Sequence, residues 1–297
     1  TMKMENYSFT LEDTLVHVPM ISYRHFTEPL PRHSHSKNTF ELHYVTAGKG
    51  YVVLENKTYP LSPGVLYITG PNIAHEQIPD ESEALTKFGL FFLISESGPK
   101  GSLADLFMKH SLWLGDAGTE VDTLVRVILW EKTNQMPGYR QKIPLLLAEL
   151  MIECVRSFIS DGKIYDNKLP APSKKLSVDL LQEENTLLVI DEIFLCRYAD
   201  ITLEQLADNI GLSTRQAQRL LEKNYNKSFS AMKLEARMAA AETLLRNSSL
   251  KITEISNRIG YSSIEHFSNA FKKFYGVSPG QYRSSTAQIH QLAAWQH

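Results

Sequence analysis

The sequence predicts an α+β protein with a β-rich N-terminal domain that ends in helices and an all-α C-terminal domain. Three observations support this division. Short β-type segments separated by Gly and Pro turns fill the region between residues 14 and 94. A pattern of apolar and turn residues occurs twice after residue 200. Between these regions lies a polar stretch with two prolines, which is typical of a linker.

Length and composition are those of a globular protein with two cores. The chain has 297 residues, of which 43% are hydrophobic and 22% are charged. The formal net charge of −2 does not by itself indicate binding to nucleic acid. Basic residues are concentrated locally, at Arg215, Arg219, Lys223 and Lys227 and again at Lys272, Lys273 and Arg283. There is no run of 18 apolar residues and no N-terminal leader, so we expect a cytoplasmic protein that does not bind membranes.

Five strands are predicted in the N-terminal half, at residues 14–23, 40–46, 51–55, 65–69 and 85–94. Many short strands joined by Gly and Pro turns predict a sandwich or a small barrel. The polar residues before position 14 are predicted to form an arm. Three helices are predicted next, at 101–114, 119–133 and 140–160.

The third of these helices has a broad apolar sector. Its main stripe and the two residues beside that stripe are Ile143, Leu147, Met151, Cys154, Phe158, Leu146 and Leu150. A sector of this width can pack on the strands with one side and on a second copy of the chain with the other. We therefore expect this helix both to complete the strand domain and to form a homodimer. Residues 161 to about 176 are predicted to be irregular, and a helix is predicted at 177–200.

A short helix, a tight turn and a second helix are predicted at 252–275, followed by a third helix from residue 279. The apolar face of the first helix is formed by Ile252, Ile255 and Ile259. Gly260 suits the positive φ that often follows a helix end. Ser262 is predicted to cap the second helix, with Glu265 as its partner in a capping box. The buried face of the second helix is predicted to consist of Phe267, Phe271 and Phe274.

The same pattern occurs earlier in the chain at a nearly constant offset. Before the turn the offset is 49, in the pairs Leu203/Ile252, Leu206/Ile255, Ile210/Ile259, Gly211/Gly260 and Ser213/Ser262. After the turn the offset is 50, in the pairs Ala217/Phe267, Leu221/Phe271, Tyr225/Tyr275 and Ser228/Ser278. The sequence therefore predicts two helix-turn-helix units, the second with one extra residue in its turn.

A single continuous helix is predicted between the two units, at residues 228–247. About 19 residues at about 1.5 Å each span about 28 Å. Major-groove faces on one side of B-DNA recur every ~34 Å. A connecting helix of this length can therefore place two recognition helices in successive major grooves of one duplex.

Residues 185–285 resemble the DNA-binding domain of the AraC/XylS family of bacterial transcription regulators. The signature residues of the second unit are Ile255, Ile259, Gly260, Tyr261, Phe267, Phe271, Lys272, Lys273, Gly276, Ser278, Pro279, Tyr282 and Arg283. The first unit departs from the family pattern at Leu221 and Glu222, where an aromatic residue and a lysine are usual. In the second unit Asn269 stands where many members have Arg. The resemblance implies an activator that binds double-stranded DNA and acts with RNA polymerase.

Base and phosphate contacts are predicted on the second helix of each unit. In the first unit the candidates are Arg215, Gln216, Gln218 and Arg219. In the second unit they are Ser263, Glu265, His266 and Asn269, with Lys272 and Lys273 expected on phosphates. Arg can form two hydrogen bonds with guanine and Gln or Asn two with adenine, and Arg219 is the strongest candidate for base readout. Glu265 has an alternative role as the capping partner of Ser262.

The N-terminal half carries a second resemblance, to the two motifs of the cupin barrel, over about residues 15–95. The residues that carry it are His33, His35, Glu41, Gly48, Gly64, Pro71 and His75. The resemblance implies that His33, His35, Glu41 and His75 converge inside a small barrel. Three interpretations follow, in decreasing order of preference: a pocket for a small effector, a set of structural polar groups, and a catalytic metal site. The expected fold is thus a cupin-like β-barrel with a helical dimerisation extension, followed by two helix-turn-helix units joined by a long helix.

The expected function is ligand-responsive regulation of transcription by a homodimer, without catalytic residues, metal or other cofactor. The resemblance suggests a sugar as the effector and carbohydrate utilisation genes as the target. The expected domains are 1–160 for effector binding and dimerisation, 161–182 for the linker, 183–285 for DNA binding and 286–297 for a tail. The alternative is a cupin metalloenzyme fused to a helical interaction domain. A third hypothesis, a thiol sensor at Cys154 or Cys196, is disfavoured because the chain has no CxxC motif.

Overall fold

A computed structural model of the chain describes residues 5–36, 38–80, 82–96, 98–160, 163–165 and 178–294. These residues form eleven strands and ten helices. The chain divides into two compact units, of which the first contains Thr1–Thr27, His33–His75 and Pro79–Leu188. The second contains Glu28–Arg32, Glu76–Ile78 and Val189–His297. The last boundary between the units falls inside a helix.

The strands belong to two sheets. They are β1 (Tyr7–Leu11), β2 (Thr14–Phe26), β3 (Leu30–His33), β4 (Thr39–Ala47), β5 (Gly50–Leu54), β6 (Lys57–Leu61), β7 (Val65–Thr69), β8 (His75–Pro79), β9 (Leu85–Ile94), β10 (Leu112–Asp116) and β11 (Lys163–Tyr165). The larger sheet has the order β1-β2-β9-β4-β7-β10-β11 and the smaller one the order β3-β8-β5-β6. Strand β4 lies at the centre of the larger sheet and pairs antiparallel with both β7 and β9.

The helices follow in chain order. They are α1 (Leu103–Lys109), α2 (Thr119–Asn134), α3 (Tyr139–Ser160), α4 (Val178–Cys196), α5 (Leu203–Ile210), α6 (Thr214–Tyr225), α7 (Phe229–Asn247), α8 (Ile252–Arg258), α9 (Ile264–Tyr275) and α10 (Pro279–Ala294). The α+β class is confirmed, with an N-terminal domain of antiparallel sheets and a C-terminal helical domain.

Alternating side chains give the central strands of the larger sheet two buried faces. One face packs on α1, α2 and α3 through residues such as Leu42, Leu66, Phe88, Val125 and Leu147. The opposite face packs on the smaller sheet through residues such as Val45, Tyr67, Leu85, Val52 and Leu61. We call this second face the inner face. Glu41 and His43 alternate with Leu42 on β4 and therefore lie on the inner face.

All five predicted strands are present, but the sequence interpretation missed the other six. The polar arm is a wrong prediction for residues 7–11, which form β1 and pair with β2. The helix predicted at 101–114 ends at Lys109, and Leu112–Asp116 pairs with β7 instead. A short apolar run is compatible with either a strand or a helix. Residues 112–116 become a strand because they form hydrogen bonds with the edge of β7. In the predicted linker, Lys163–Tyr165 pairs with β10, while residues 166–177 lie outside the described part of the chain.

Helix α3 packs on the strands as predicted. Its whole main stripe and Leu150 are buried in the same core as the larger sheet, and Leu146 is partly buried there. Cys154 belongs to this stripe, and burial raises the pKa of its thiol far above the usual range. Cys196 is exposed at the C-terminal end of α4. A buried, protonated thiol gives no support to a thiol sensor at Cys154.

The helix-turn-helix repeat is present, with one correction to its register. Thr202 and Gln205 form a capping box at α5, and Ser213 forms one with Gln216 at α6. Helix α9, however, is capped by Ser263 and not by Ser262, because Ser263 Oγ accepts the His266 amide at 3.3 Å. The extra residue of the second turn therefore lies before the cap, and Ser263 is the structural counterpart of Ser213.

The core of the second helix-turn-helix unit centres on the aromatic face of α9. Phe267 and Phe271 are fully buried among residues of α7 and α8. The prediction that Phe274 shares this face is wrong, because 44% of Phe274 is exposed. Tyr275 takes the last core position instead, with its ring centroid 4.6 Å from that of Phe271. Tyr275 is partly buried at the end of α9, and its hydroxyl donates to the Met238 carbonyl at 3.3 Å.

The two helix-turn-helix glycines provide a matched test of this packing. Gly211 and Gly260 both have positive φ, of 70° and 84°. A Cβ at Gly260 would lie 2.5 Å from the Ala199 carbonyl oxygen, whereas nothing lies within 4 Å of one at Gly211. Gly211→Ala carries only the left-handed backbone cost of about 1–2 kcal/mol. We expect Gly260→Ala to lower the melting temperature clearly more than Gly211→Ala, as measured by circular dichroism. Equal losses would contradict the close approach to Ala199.

Candidate functional site

The four residues of the predicted effector pocket lie together. His33 ends β3, His35 follows it in the loop, Glu41 lies on the inner face of β4, and His75 begins β8. One ligand atom of each residue lies within 4.8 Å of the others. His35, Glu41 and His75 are buried and His33 is half-buried. Strand pairing therefore brings together residues that are up to 42 positions apart in the sequence (75 minus 33). We call these four residues the His/Glu cluster.

The Glu41 carboxylate is the hub of the His/Glu cluster. Its Oε2 lies 2.7 Å from His35 Nε2 and 3.3 Å from both His75 Nε2 and His43 Nε2. Its Oε1 lies 3.6 Å from Lys87 Nζ. His43 and Lys87 were not among the predicted site residues. The period of two along β4, which places His43 on the same face as Glu41, is the sequence signal that could have identified His43.

Charges in this region are strongly coupled. Burial by itself would raise the pKa of Glu41, but His43, Lys87 and His35 outweigh it and hold that pKa well below its usual range. Burial lowers the pKa of His43 and of His75. At neutral pH the structure thus favours an ionised Glu41 beside neutral imidazoles at His43 and His75. The buried ammonium of Lys87 supplies the compensating positive charge.

Hydrogen bonds assign the proton on two of the imidazoles. Lys87 Nζ donates to His43 Nδ1 at 2.7 Å, so the His43 proton is on Nε2 and points toward Glu41. His75 Nδ1 lies 3.1 Å from the Ile73 carbonyl oxygen, which can only accept. The proton of neutral His75 is therefore on Nδ1, and its Nε2 presents a lone pair to Glu41 Oε2.

Helix α4 contacts the segment that carries His35. Glu184 accepts from Ser36 Oγ at 2.5 Å and from Asn38 Nδ2 at 2.9 Å. One turn further along α4, Leu188 packs on Met20 and Phe91. Phe91 in turn lies edge-on to His35, with ring centroids 5.1 Å apart. His35 is thus connected to α4 through its chain neighbour Ser36 and through its ring neighbour Phe91.

All four residues predicted on α6 are exposed, and one of them, Gln216, takes part in the cap of the helix. Arg215, Gln218 and Arg219 are exposed, while Ala217 and Leu221 form the buried face. Gln216 is also exposed, but its side chain is used in the cap. Its Oε1 accepts from the Ser213 amide at 3.0 Å and from Ser213 Oγ at 2.8 Å.

The exposed face of α9 carries His266, Asn269, Lys272 and Lys273. Ser263 and Glu265 also form local hydrogen bonds at the start of this helix. Ser263 caps the helix, and Ser263 Oγ donates to Glu265 Oε2 at 2.6 Å, a bond that lowers the pKa of Glu265. Glu265 thus bonds to the cap as its alternative role predicted, although its partner is Ser263 and not Ser262. Within the described part of the chain, no helix is both long and apolar enough to cross a membrane.

Comparisons with known proteins match both halves of the chain. A family described as "AraC-like ligand binding domain" matches residues 20–93, and a "Helix-turn-helix domain" family matches residues 206–285. The Msm operon regulatory protein of Streptococcus mutans is 23% identical over 83% of this chain and 84% of its own length. The transcriptional activator RhaR of Mannheimia succiniciproducens is 24% identical over 89% of this chain and 91% of its own length.

Several solved structures are similar to the C-terminal part of the chain. The C-terminal domain of AraT, a response regulator from Geobacillus stearothermophilus, is 35% identical and covers 34% of this chain and 84% of its own, with a TM-score of 0.32. The matched families and named relatives are transcriptional regulators, so the expectation that the chain is not an enzyme is confirmed and the metalloenzyme alternative is rejected. A ligand-binding domain followed by a helix-turn-helix domain identifies this chain as a member of the AraC family of DNA-binding transcription regulators.

Proposed function

We propose that this regulator is an activator whose affinity for DNA responds to a small molecule held at the His/Glu cluster. The observation that carries the proposal is the convergence of four polar side chains, three of them buried, inside the ligand-binding domain. A relative of similar length is named an activator, which supports positive control with RNA polymerase as a partner. A sugar is the effector class we propose, with carbohydrate utilisation genes as the target and the cytoplasm as the place of action.

Two recognition helices, α6 and α9, read the DNA in this proposal. Their buried faces, Ala217 with Leu221 and Phe267 with Phe271, leave the opposite faces for contact with a duplex. The connecting helix α7 has 19 residues and is therefore about 28 Å long, which suits two successive major grooves. Arg219 lies in the middle of the exposed face of α6, where a bidentate pair with guanine is possible.

Replacement of Arg219 tests base readout. We expect Arg219→Ala to weaken binding to the specific operator by about 1–3 kcal/mol and to leave binding to random DNA nearly unchanged. The matched control is Lys272→Ala, a phosphate contact in this proposal. It should weaken both DNAs equally and reduce the slope of log K against log salt by about 1. Fluorescence anisotropy at several salt concentrations measures both effects. Equal loss on both DNAs for Arg219→Ala would make Arg219 a phosphate contact.

Helix α4 is the element that we propose to transmit the effector signal. Its residues up to Leu188 belong to the first unit and its residues from Val189 to the second. A ligand that moves His35 acts directly on the partners of α4, because Ser36 bonds to Glu184 and Phe91 packs on Leu188. A ligand shifts an equilibrium only by binding two states unequally, so this contact must differ between the states.

A thermal-shift screen of sugars and small metabolites tests the pocket and its coupling together. A true effector should raise the melting temperature of the wild type, and His75→Ala should weaken its binding at least about tenfold. The exposed His25 provides the control, since His25→Ala should leave binding unchanged. The same compound should alter hydrogen exchange of residues 183–188. Stabilisation without any change in exchange there would remove α4 from the mechanism.

We further propose that the chain is a homodimer through α3. Leu145, Ile152 and Ile159 are spaced by seven residues and therefore lie on one face of that helix. Leu145 is 70% exposed and Ile159 67% exposed, while Ile152 is half-buried. Two exposed aliphatic residues at heptad spacing suit pairing with the same helix of a second copy.

Charge placed on this face should separate the dimer. We expect the double substitution Leu145→Asp with Ile159→Asp to weaken self-association at least about tenfold, because each pair of copies would bury like charges. Tyr51 on β5 is the control position, since it is 48% exposed but lies outside α3. Tyr51→Asp should leave association unchanged in sedimentation equilibrium. A wild type that is monomeric at micromolar concentration would refute this interface.

A further inference from the structure

We infer that Arg237 on α7 is a positioning residue for DNA recognition, which fixes α9 relative to α6 and so sets the spacing between the two DNA segments that one copy of the chain reads. The inference rests on the proposed function, in which both recognition helices contact one duplex. Arg237 acts through the protein segments that precede α5 and α9 and makes no DNA contact in this proposal.

Arg237 binds main-chain carbonyl groups just before the first helix-turn-helix unit. Its Nε donates to the Tyr198 carbonyl at 3.1 Å and its Nη2 donates to the Ala199 carbonyl at 2.7 Å. Both residues lie between the end of α4 at Cys196 and the start of α5 at Leu203. Because a guanidinium carries its donors in a rigid planar fork, it can hold two neighbouring carbonyl groups at once. The segment that leads into α5 is therefore fixed to α7.

The same side chain packs against the turn of the second helix-turn-helix unit. Its guanidinium carbon lies 5.3 Å from the ring centroid of Tyr261, which is within the range of a cation–π interaction. The Tyr261 ring packs in turn on Phe267 of α9, with ring centroids 5.8 Å apart. A Cβ on Gly260 would lie 2.8 Å from Arg237 Nη2. Arg237 thus contacts the second turn on one side and the segment before α5 on the other.

The two turns differ in this respect, although the units are repeats. Gly211 and Gly260 occupy equivalent positions in the repeat. Nothing lies within 4 Å of a Cβ built on Gly211, whereas one on Gly260 would lie 2.5 Å from the Ala199 carbonyl oxygen. The second turn is therefore packed against the start of the first unit. A contact that joins two units restricts their relative orientation, which neither unit can do by itself.

Lys233 lies one helical turn before Arg237 on α7 and makes a similar contact on one side only. Its Nζ donates to the Ile201 carbonyl at 2.6 Å. Burial and the nearby charge of Arg237 lower the pKa of Lys233, because two cations share one face of the helix. Within the described residues, no hydrogen bond joins Lys233 to the second turn. Lys233 therefore holds the segment before α5 alone, which makes it a matched control for Arg237.

The geometry of DNA gives this orientation a measurable consequence. Successive base pairs of B-DNA differ by about 3.4 Å along the axis and by about 34° around it. A rigid pair of recognition helices therefore matches one spacing of its two DNA segments. Freedom between the helices would let α9 follow a displaced segment, but the protein would then lose preorganisation and affinity. Arg237 should accordingly affect the preference for one spacing.

The test measures this preference with the full chain, on a duplex that the wild type selects from a random library. Hydroxyl-radical footprinting locates the two segments that one copy protects. Duplexes with one base pair inserted or deleted between the segments are then compared by fluorescence anisotropy. The wild type should lose at least about tenfold in affinity on the shifted duplexes, because one recognition helix loses base contacts. Arg237→Met should bind the selected duplex more weakly and should lose less than about threefold on the shifted ones.

The matched control is Lys233→Met, which removes a cation from the same face of α7. It should keep the full loss of affinity on the shifted duplexes, even if its melting temperature falls as far as that of Arg237→Met. Circular dichroism checks the folding of each variant. If Arg237→Met does not fold, Arg237→Lys serves instead, because an ammonium keeps the charge but not the planar fork. Its loss on the shifted duplexes should also be smaller than that of the wild type.

A second measurement reports the orientation of the two helices without DNA. Spin labels are attached through Gln218→Cys on α6 and Lys273→Cys on α9, which are both exposed positions. Cys196→Ser removes the exposed native thiol. Pulsed electron paramagnetic resonance then gives the distribution of distances between the labels. This distribution should be broader with Arg237→Met than with the native Arg237 or with Lys233→Met, and a loss of stability alone would not broaden it in the folded protein.

The outcomes separate this inference from the proposed function. If Arg237→Met retains the full spacing preference of the wild type, the inference is overturned and the proposed function stands. If the wild type binds every spacing equally, reading by two recognition helices is refuted and the inference falls with it. Equal effects of Arg237→Met and Lys233→Met on spacing and distance also overturn the inference, because the contact with the second turn would then play no part.

Discussion

The buried carboxylate of Glu41 is the constraint on which the first unit depends. An ionised group in a protein interior costs several kcal/mol unless it is paired and hydrogen-bonded. Three side chains contact the Glu41 carboxylate in this structure. They are Lys87 on β9, His43 on β4 and His35 in the loop after β3. Three separate segments are therefore held in register by one charge. His33 and His75 lie close to the same carboxylate and complete the His/Glu cluster.

The arrangement of the two helix-turn-helix units depends on hydrogen bonds that cap the helices more than on pairs of opposite charges. Ser213 and Ser263 each cap a recognition helix, and the side chains of Gln216 and Glu265 bond back to those caps. Arg215, Arg219 and Asn269 lie on the exposed faces of the same helices. The capping interactions thus divide the ten predicted contact residues into a structural group and a group that includes Arg215, Arg219 and Asn269.

Helix α4 gives the two halves of the chain a common element. Its first part bonds to Ser36 and Asn38 through Glu184 and to His17 through Asn185 at 2.9 Å. Its second part belongs to the compact unit that contains the helix-turn-helix repeat. Helix α4 therefore takes part in both packing units.

Local signals in the sequence determined the fold class, five of the strands, the repeat and most caps, because these depend on residues that are close in the sequence. The sequence also named the four residues of the His/Glu cluster, through a motif resemblance. Tertiary structure alone decided what depends on distant partners. It paired residues 112–116 with β7, made Ser263 the cap in place of Ser262, packed Tyr275 against the core in place of Phe274 and brought Lys87 to Glu41. Pairing, burial and charge compensation act across the fold, so one-dimensional patterns do not encode them locally.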